Sequence, residues 1–273
     1  MIPASFEYAR AESIDHAIEL LGGSDDAKIL AGGHSLLPLM KTRLAQPSLL
    51  VDITRIGDLS YIREDGEVIA IGALTRHHDV ANSELLQQAA PIVADTAGQI
   101  GDPQVRHVGT IGGSIAHADP AGDMGTVMLA LGAELVIKGA AGASRTVAAG
   151  DFFKGLFQAD LGANEVLTEI RVPKTSGGWS YLKFSRRAID WAMVGVAAVQ
   201  RNGSAAVALT NMGETPLRAS GVEEALAGGA DPATASARAD EGTTPPSDAF
   251  GSAEYRKEVS KVLVRRALEE AMA

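Results

Sequence analysis

Two short segments, each built on a glycine pair with a hydroxyl side chain close by, constrain this chain more than anything else in it. They are Ala31-Gly32-Gly33-His34-Ser35 and Thr110-Ile111-Gly112-Gly113-Ser114. Without a Cβ the backbone can turn tightly, so successive N–H groups converge on one point, and a helix starting just beyond adds the positive end of its dipole. Each segment therefore suits an anion such as phosphate, and the two together suit the two phosphates of a dinucleotide. A single Gly-Gly turn is more often only a turn, so it is the pair that points to a dinucleotide. Neither segment has the spacing G-x-G-x-x-G or G-x-x-x-x-G-K-[ST], and the common nucleotide-binding folds are not indicated.

The pattern around these segments sorts into α+β units. Ser13 is placed to cap a helix with Ile14, Ala17, Ile18 and Leu21 at helical spacing, which Gly22-Gly23 stops. Residues 29–31 then read as extended, LLPLMKTRL after the first glycine turn as helical, and SLLVDI as a strand. EVIAIGAL, from Glu67, opens a second unit, in which ELLQQAAPIVADTAGQIG reads as a helix that Pro91 interrupts or restarts. The second glycine segment, read as another turn, leads to a helix at MGTVMLAL and a strand at AELVIKG.

Pro173 and the loose residues 176–178 mark a domain boundary. The expected division is residues 1–175, with subdomains of about 1–57 and 58–175, followed by a domain over 179–273. In the second part YLKFSRR, WAMVGVAAVQ and SAAVALTNMG read as an antiparallel meander, with Arg201-Asn202-Gly203 turning between the last two. GGADPATASARADEGTTPPSDAFGS reads as a surface connection with one short helix. The last run is an amphipathic helix with Val259, Val262, Leu263, Ala267 and Leu268 on one side.

Composition removes several functions. A net charge of -10 and a pI near 5.1 lack the electropositive footprint of nucleic-acid binding. No stretch has the length and apolarity of a membrane span, and the N-terminus has no signal-peptide pattern, so a cytoplasmic location is expected. With no cysteine the chain can form no disulfide, ligate no iron–sulfur cluster through thiolates and offer no thiol nucleophile. The six histidines show no H-x-x-x-H or H-E-x-x-H spacing, so no metal site is expected. Of these, His34 and His117 stand out for lying in or near the glycine segments. No G-x-S-x-G elbow is present and no catalytic residue is assigned.

Taken together, AGGHSLLPLMKTRLAQPSLLVDI, TIGGSIAHADPAGDM, the opening MIPASFEY, the approach GDPQVRHVGTIGG and the ending AEYRKEVSKVLVRRAL resemble a known family. It is that of the FAD-binding medium subunits of molybdenum hydroxylases, which includes the carbon monoxide dehydrogenase medium chain and the xanthine dehydrogenase FAD subunit. The resemblance covers nearly the whole chain. It implies an α+β fold: a two-subdomain FAD-binding domain of PCMH type, then a C-terminal domain of antiparallel sheet and helices, with FAD in the cleft between them.

By that resemblance Ala31, Gly32, Gly33, His34, Ser35, Thr110, Ile111, Gly112, Gly113 and Ser114 would wrap the FAD pyrophosphate. Asp123 would help hold the flavin nucleotide, and Leu167 and Lys183 would lie beside the cofactor. Trp191 stands where the family has a tyrosine against the flavin ring, and an indole can stack there too. Each has a plainer alternative: a helix N-terminal carboxylate for Asp123, an exposed strand cation for Lys183, and a core or interface anchor for Trp191. Ser114 departs from the family, in which asparagine is common, and loses an amide's reach while leaving a backbone cradle intact.

The resemblance further implies an electron-transfer subunit that passes electrons from two-iron two-sulfur clusters of a small partner subunit through FAD to an external acceptor. The molybdenum cofactor would sit in a large partner subunit, in a dimer of heterotrimers. Two other classes remain open at this point, a self-sufficient FAD-dependent oxidase of similar fold and a non-redox module holding a phosphate ligand.

Overall fold

The N-terminal residues form a three-stranded parallel sheet from β1 (Glu7–Arg10), β2 (Lys28–Leu30) and β3 (Leu49–Asp52), in the order β1-β3-β2. The computed structural model describes residues 1–201 and 204–273. Parallel neighbours need crossovers, and the helices Ile14–Gly22 and Leu36–Lys41 supply them. Ser13 caps the first of these, its side chain accepting from the His16 N–H.

The next unit is an antiparallel sheet. It comprises β4 (Ile62–Asp65), β5 (Val68–Gly72), β6 (Glu134–Lys138) and β7 (Ser144–Ala148), then a ribbon of β8 (Phe153–Gly155) and β9 (Gln158–Ala159), and last β10 (Val166–Pro173). The five longer strands run in the order β4-β5-β10-β6-β7, with β10 in the centre. Ile69, Ile71, Leu135, Ile137 and Ile170 bury one face against helices that include Pro91–Gly98, Ile111–His117 and Asp123–Leu131. Pro91 restarts the chain as a new helix after Glu84–Ala89, sitting at the first helical position where its missing N–H costs nothing.

Past residues 176–178 the chain forms β11 (Trp179–Phe184), β12 (Val194–Arg201), β13 (Ser204–Thr210) and β14 (Leu217–Arg218), an antiparallel meander in sequence order. Strand β12 is buried on both faces, which is why VGVAAV reads as a continuous apolar run. Val194, Val196 and Ala198 face a core that the helix Ala253–Ala271 closes with Leu263, Val264 and Leu268. Ala197 and Val199 face the other way and join Tyr181 and Ala208 in the large core of the preceding unit. The two parts of the chain thus share one apolar seam.

Several details differ from the sequence reading. Trp191, Ala192 and Met193 precede β12 instead of opening it. A helix at Ser220–Ala227 comes before the foreseen short helix at Pro232–Ser236. Val262 lies off the buried face of the final helix, because the 3.6-residue period seats Val264 inward with Leu263, Ala267 and Leu268. Asn202 and Gly203, expected to turn between the last two long strands, lie outside the described residues. Among the described residues no helix is long and apolar enough to cross a membrane.

Candidate cofactor site

Strand β2 ends at Leu30, and the chain turns through Gly32 and Gly33 before the helix Leu36–Lys41. Gly33 has φ +70°, a left-handed conformation that costs any residue with a Cβ. Among the described residues, no group accepts a hydrogen bond from the backbone N–H of Gly32, Gly33, His34 or Ser35. The Ser35 side chain makes no capping bond to the helix it precedes. Four consecutive donors at a tight turn therefore stay free for a ligand.

The second segment is not the turn its glycines suggested. Residues Ile111–His117 are a helix, with Thr110 as its N-cap accepting from the Gly113 N–H at 3.2 Å. The Ile111 N–H donates to Thr75 O (3.0 Å), that of Gly112 to Ala73 O (2.9 Å) and that of Ser114 to Thr110 O (3.0 Å). The glycines here serve close approach. A Cβ on Gly112 would lie 2.5 Å from the Ala73 Cβ, so this helix end packs directly on the chain leaving β5.

The two segments abut. A Cβ on Gly32 would lie 2.5 Å from Val108 O and 2.7 Å from the Gly109 Cα, and one on Gly113 would reach 4.0 Å from the Ala31 Cβ. The first segment thus meets the second at Gly32 with Thr110 and at Ala31 with Gly113.

Asp123 and Lys183 form a second group at the seam. Lys183 Nζ donates to Asp123 Oδ2 at 3.0 Å and the Tyr181 hydroxyl to Oδ1 at 2.5 Å, with the Lys183 and Asp123 side chains 6% and 4% exposed. Lys183 is not the exposed strand cation that its surroundings in sequence allowed; it is a buried partner, also reaching Gln99 O at 3.4 Å. Burial pushes the Asp123 carboxyl above its usual range, against the pull of Lys183 and Tyr181. Burial and the adjoining Asp123 raise the Tyr181 hydroxyl well above the ordinary value. Tyr181 was not anticipated, although its i, i+2 spacing from Lys183 on one strand puts both on one face.

Leu167 is buried in the core near the start of β10, opposite Ile137 and next to a bulge. Trp191 is 57% exposed on the loop between β11 and β12, and is neither core nor covered by the rest of the chain. The end of that loop is pinned, since Ala192 O accepts from Asn211 Nδ2 (2.8 Å) and Met193 O from the buried Arg256 (2.5 Å). The structure therefore brings the two segments that hold ten of the fourteen expected site residues against each other, and joins two more in a buried pair. Leu167 lies in the same buried core as Ile111, and Trp191 stands exposed on the loop between β11 and β12.

A pyrophosphate needs convergent free donors and no side chain in the way, and residues 32–35 supply both, so the residues present fit FAD. The comparisons with known proteins agree. Residues 4–175 match the family model "FAD binding domain in molybdopterin dehydrogenase", and residues 179–271 match "CO dehydrogenase flavoprotein C-terminal domain". The chain belongs to this family of FAD-binding oxidoreductase subunits. It is 44% identical to the carbon monoxide dehydrogenase medium chain of Afipia carboxidovorans, over 100% of this chain and 99% of that one. It is 40% identical to the glyceraldehyde dehydrogenase medium chain of Sulfolobus acidocaldarius, over 99% of each. Among solved structures, a chain of carbon monoxide dehydrogenase from Hydrogenophaga pseudoflava superposes with a TM-score of 0.93 at 43% identity, covering 99% of this chain and 98% of that one.

Proposed function

We propose that this chain is the FAD-carrying medium subunit of a heteromeric molybdenum-containing dehydrogenase, receiving electrons from iron–sulfur clusters of a small partner subunit and delivering them to an external acceptor. The observation that carries the reading is the row of four free N–H donors at residues 32–35, set against the Thr110 helix end. These donors and the left-handed Gly33 hold the pyrophosphate of FAD, with Thr110 to Ser114 forming the wall behind it. Lys183 and Asp123 fix the seam beside the cofactor, and Trp191 presents an indole for stacking against the ring. When bound, FAD supplies a ring that takes up and releases electrons singly or in pairs.

The absence of cysteine supports placing the clusters in another subunit. The relatives matched over their full length are medium chains of dehydrogenases named for unlike substrates, carbon monoxide and glyceraldehyde, which supports substrate choice residing outside this chain. A large molybdenum subunit then completes a heterotrimer, paired into a dimer of heterotrimers in the cytoplasm.

Native purification tests this. The chain should co-purify with a cysteine-rich small subunit and a larger one, and heat should release FAD, not FMN, from the polypeptide. A lone chain that reduces an artificial acceptor with an organic substrate at full rate would instead identify a self-sufficient oxidase.

A further inference from the structure

We propose that His77 is a positioning residue for the cofactor cradle, setting the spacing of the two glycine segments from behind Gly109. The inference rests on the reading of those segments as the FAD cradle. His77 opens the helix His77–Ala81 and is 3% exposed. Its backbone N–H donates to Gly109 O at 2.9 Å, while two residues earlier Thr75 O accepts from the Ile111 N–H at 3.0 Å. The residues leading into this helix are thus stitched, antiparallel, to those leading into the second segment.

The imidazole adds a packing contact to that stitching. A Cβ on Gly109 would lie 3.2 Å from His77 Cδ2, tighter than an ordinary contact, and 3.1 Å from Val105 O. Gly109 also meets Gly32, whose Cβ position is 2.7 Å from the Gly109 Cα. Imidazole, Gly109 and Gly32 are therefore in successive contact, and a shift of the ring reaches the first segment through one glycine.

The ring is not held by hydrogen bonding through its inner nitrogen. Nδ1 is buried with no partner among the described residues. An unpaired polar atom is costly to bury, so shape, not polarity, is what this residue contributes. Burial, then Arg106 and His34, push its pKa down to about 4, so the ring stays neutral beside the cradle. Histidines 78 and 107 stack on each other, their ring centroids 3.9 Å apart, while the His77 ring packs against Gly109.

The test uses the full chain in the assembly in which it purifies, with two readouts: FAD dissociation after reconstitution, and amide hydrogen exchange without FAD. His77→Ala should weaken FAD at least tenfold and speed exchange of the Gly109 and Ile111 amides at least tenfold, with unchanged far-ultraviolet circular dichroism. His77→Met, of similar volume, should restore both to within about threefold, because no hydrogen bond from Nδ1 is lost. Gly109→Ala should weaken FAD more in the wild-type background than beside His77→Ala, where the ring no longer resists the added methyl. Wild-type exchange rates at those amides in His77→Ala, or equal losses from Gly109→Ala in both backgrounds, would overturn the proposal. If the wild-type chain bound no FAD, the cradle reading would fail while the exchange data still decided the role of His77.

Discussion

The two glycine segments look alike in sequence and do opposite things in the fold. At residues 32–35 the N–H groups have no acceptor among the described residues, and Gly33 is left-handed. At residues 110–114 each N–H from Ile111 to Ser114 is already engaged, and Gly112 lies against Ala73 with no room for a methyl. One glycine pair frees donors; the other permits close packing. A Gly-Gly motif therefore does not define a phosphate nest, and the hydrogen bonds of its backbone have to be accounted for first. On the proposed reading the open segment is the cradle, and the closed one is the wall behind it.

The sharpest way to strain this contrast is at the seam beside the closed side, where Asp123 begins the helix Asp123–Leu131. Lys183→Met removes one partner of a buried pair, and such changes cost about 3–5 kcal/mol because they strand a charge. The carboxyl of Asp123, already raised by burial, would rise further and take up a proton. A carboxyl with a raised folded pKa loses stability as pH climbs through the interval between its unfolded and folded values. The loss in Lys183→Met should thus be larger at pH 8 than at pH 5. Urea unfolding at both pH values measures it, and an equal loss at each would show that Asp123 stays ionised without its partner.

A somewhat smaller effect should come from acid acting on the wall. His77 falls from an ordinary 6.5 to about 4, a difference worth about 3 kcal/mol. The sign is set by proton uptake: below pH 6.5 the unfolded chain binds a proton that the folded chain refuses. The contribution of His77 is therefore complete above pH 6.5 and shrinks as pH falls toward 4. Stability of the wild type relative to His77→Met should drop by about 2 kcal/mol between pH 7.5 and pH 5. A flat difference across that range would mean that the ring is charged, or reached by water, in the folded state.

Much of this arrangement was legible in the sequence. Helix Ile14–Gly22 follows from Ser13 and the i, i+3, i+4, i+7 spacing, and the meander follows from its apolar runs. The conversion of residues 110–114 into a helix end was not legible, because a Gly-Gly pair carries weak helix propensity. Only the tertiary acceptors Thr75 O and Ala73 O, 36 and 39 residues before their donors, make it favourable there. The burial of Lys183 was hidden for a similar reason. A lysine on a strand reads as exposed until Asp123, 60 residues distant in sequence, is brought against it. Family resemblance supplied the candidate residues, whereas the difference between the two segments came from long-range contacts.

The smallest predicted effect separates the halves most directly, through the same substitution made in each. Gly33→Ala forces an alanine into a left-handed conformation, at about 1–2 kcal/mol, and sets a methyl 2.9 Å from the flexible end of Leu37. The turn relaxes by rotating its peptides, which redirects the free donors, so FAD should weaken by tenfold or more. Gly113→Ala sits in a helix, where alanine is preferred over glycine by up to about 1 kcal/mol. Its methyl crowds the Thr110 hydroxyl at 2.8 Å and meets the Ala31 Cβ at an ordinary 4.0 Å, and displacing that cap costs about 1 kcal/mol. The two terms nearly cancel, so thermal stability should barely move and FAD affinity should change by less than about threefold. Ser114→Ala should do no more, since its N–H donates to Thr110 O whatever the side chain. Thermal melts and flavin titrations of the three variants test this together. If Gly113→Ala released FAD as fully as Gly33→Ala with no loss of stability, the helix end would itself touch the cofactor, and the division into cradle and wall would be wrong.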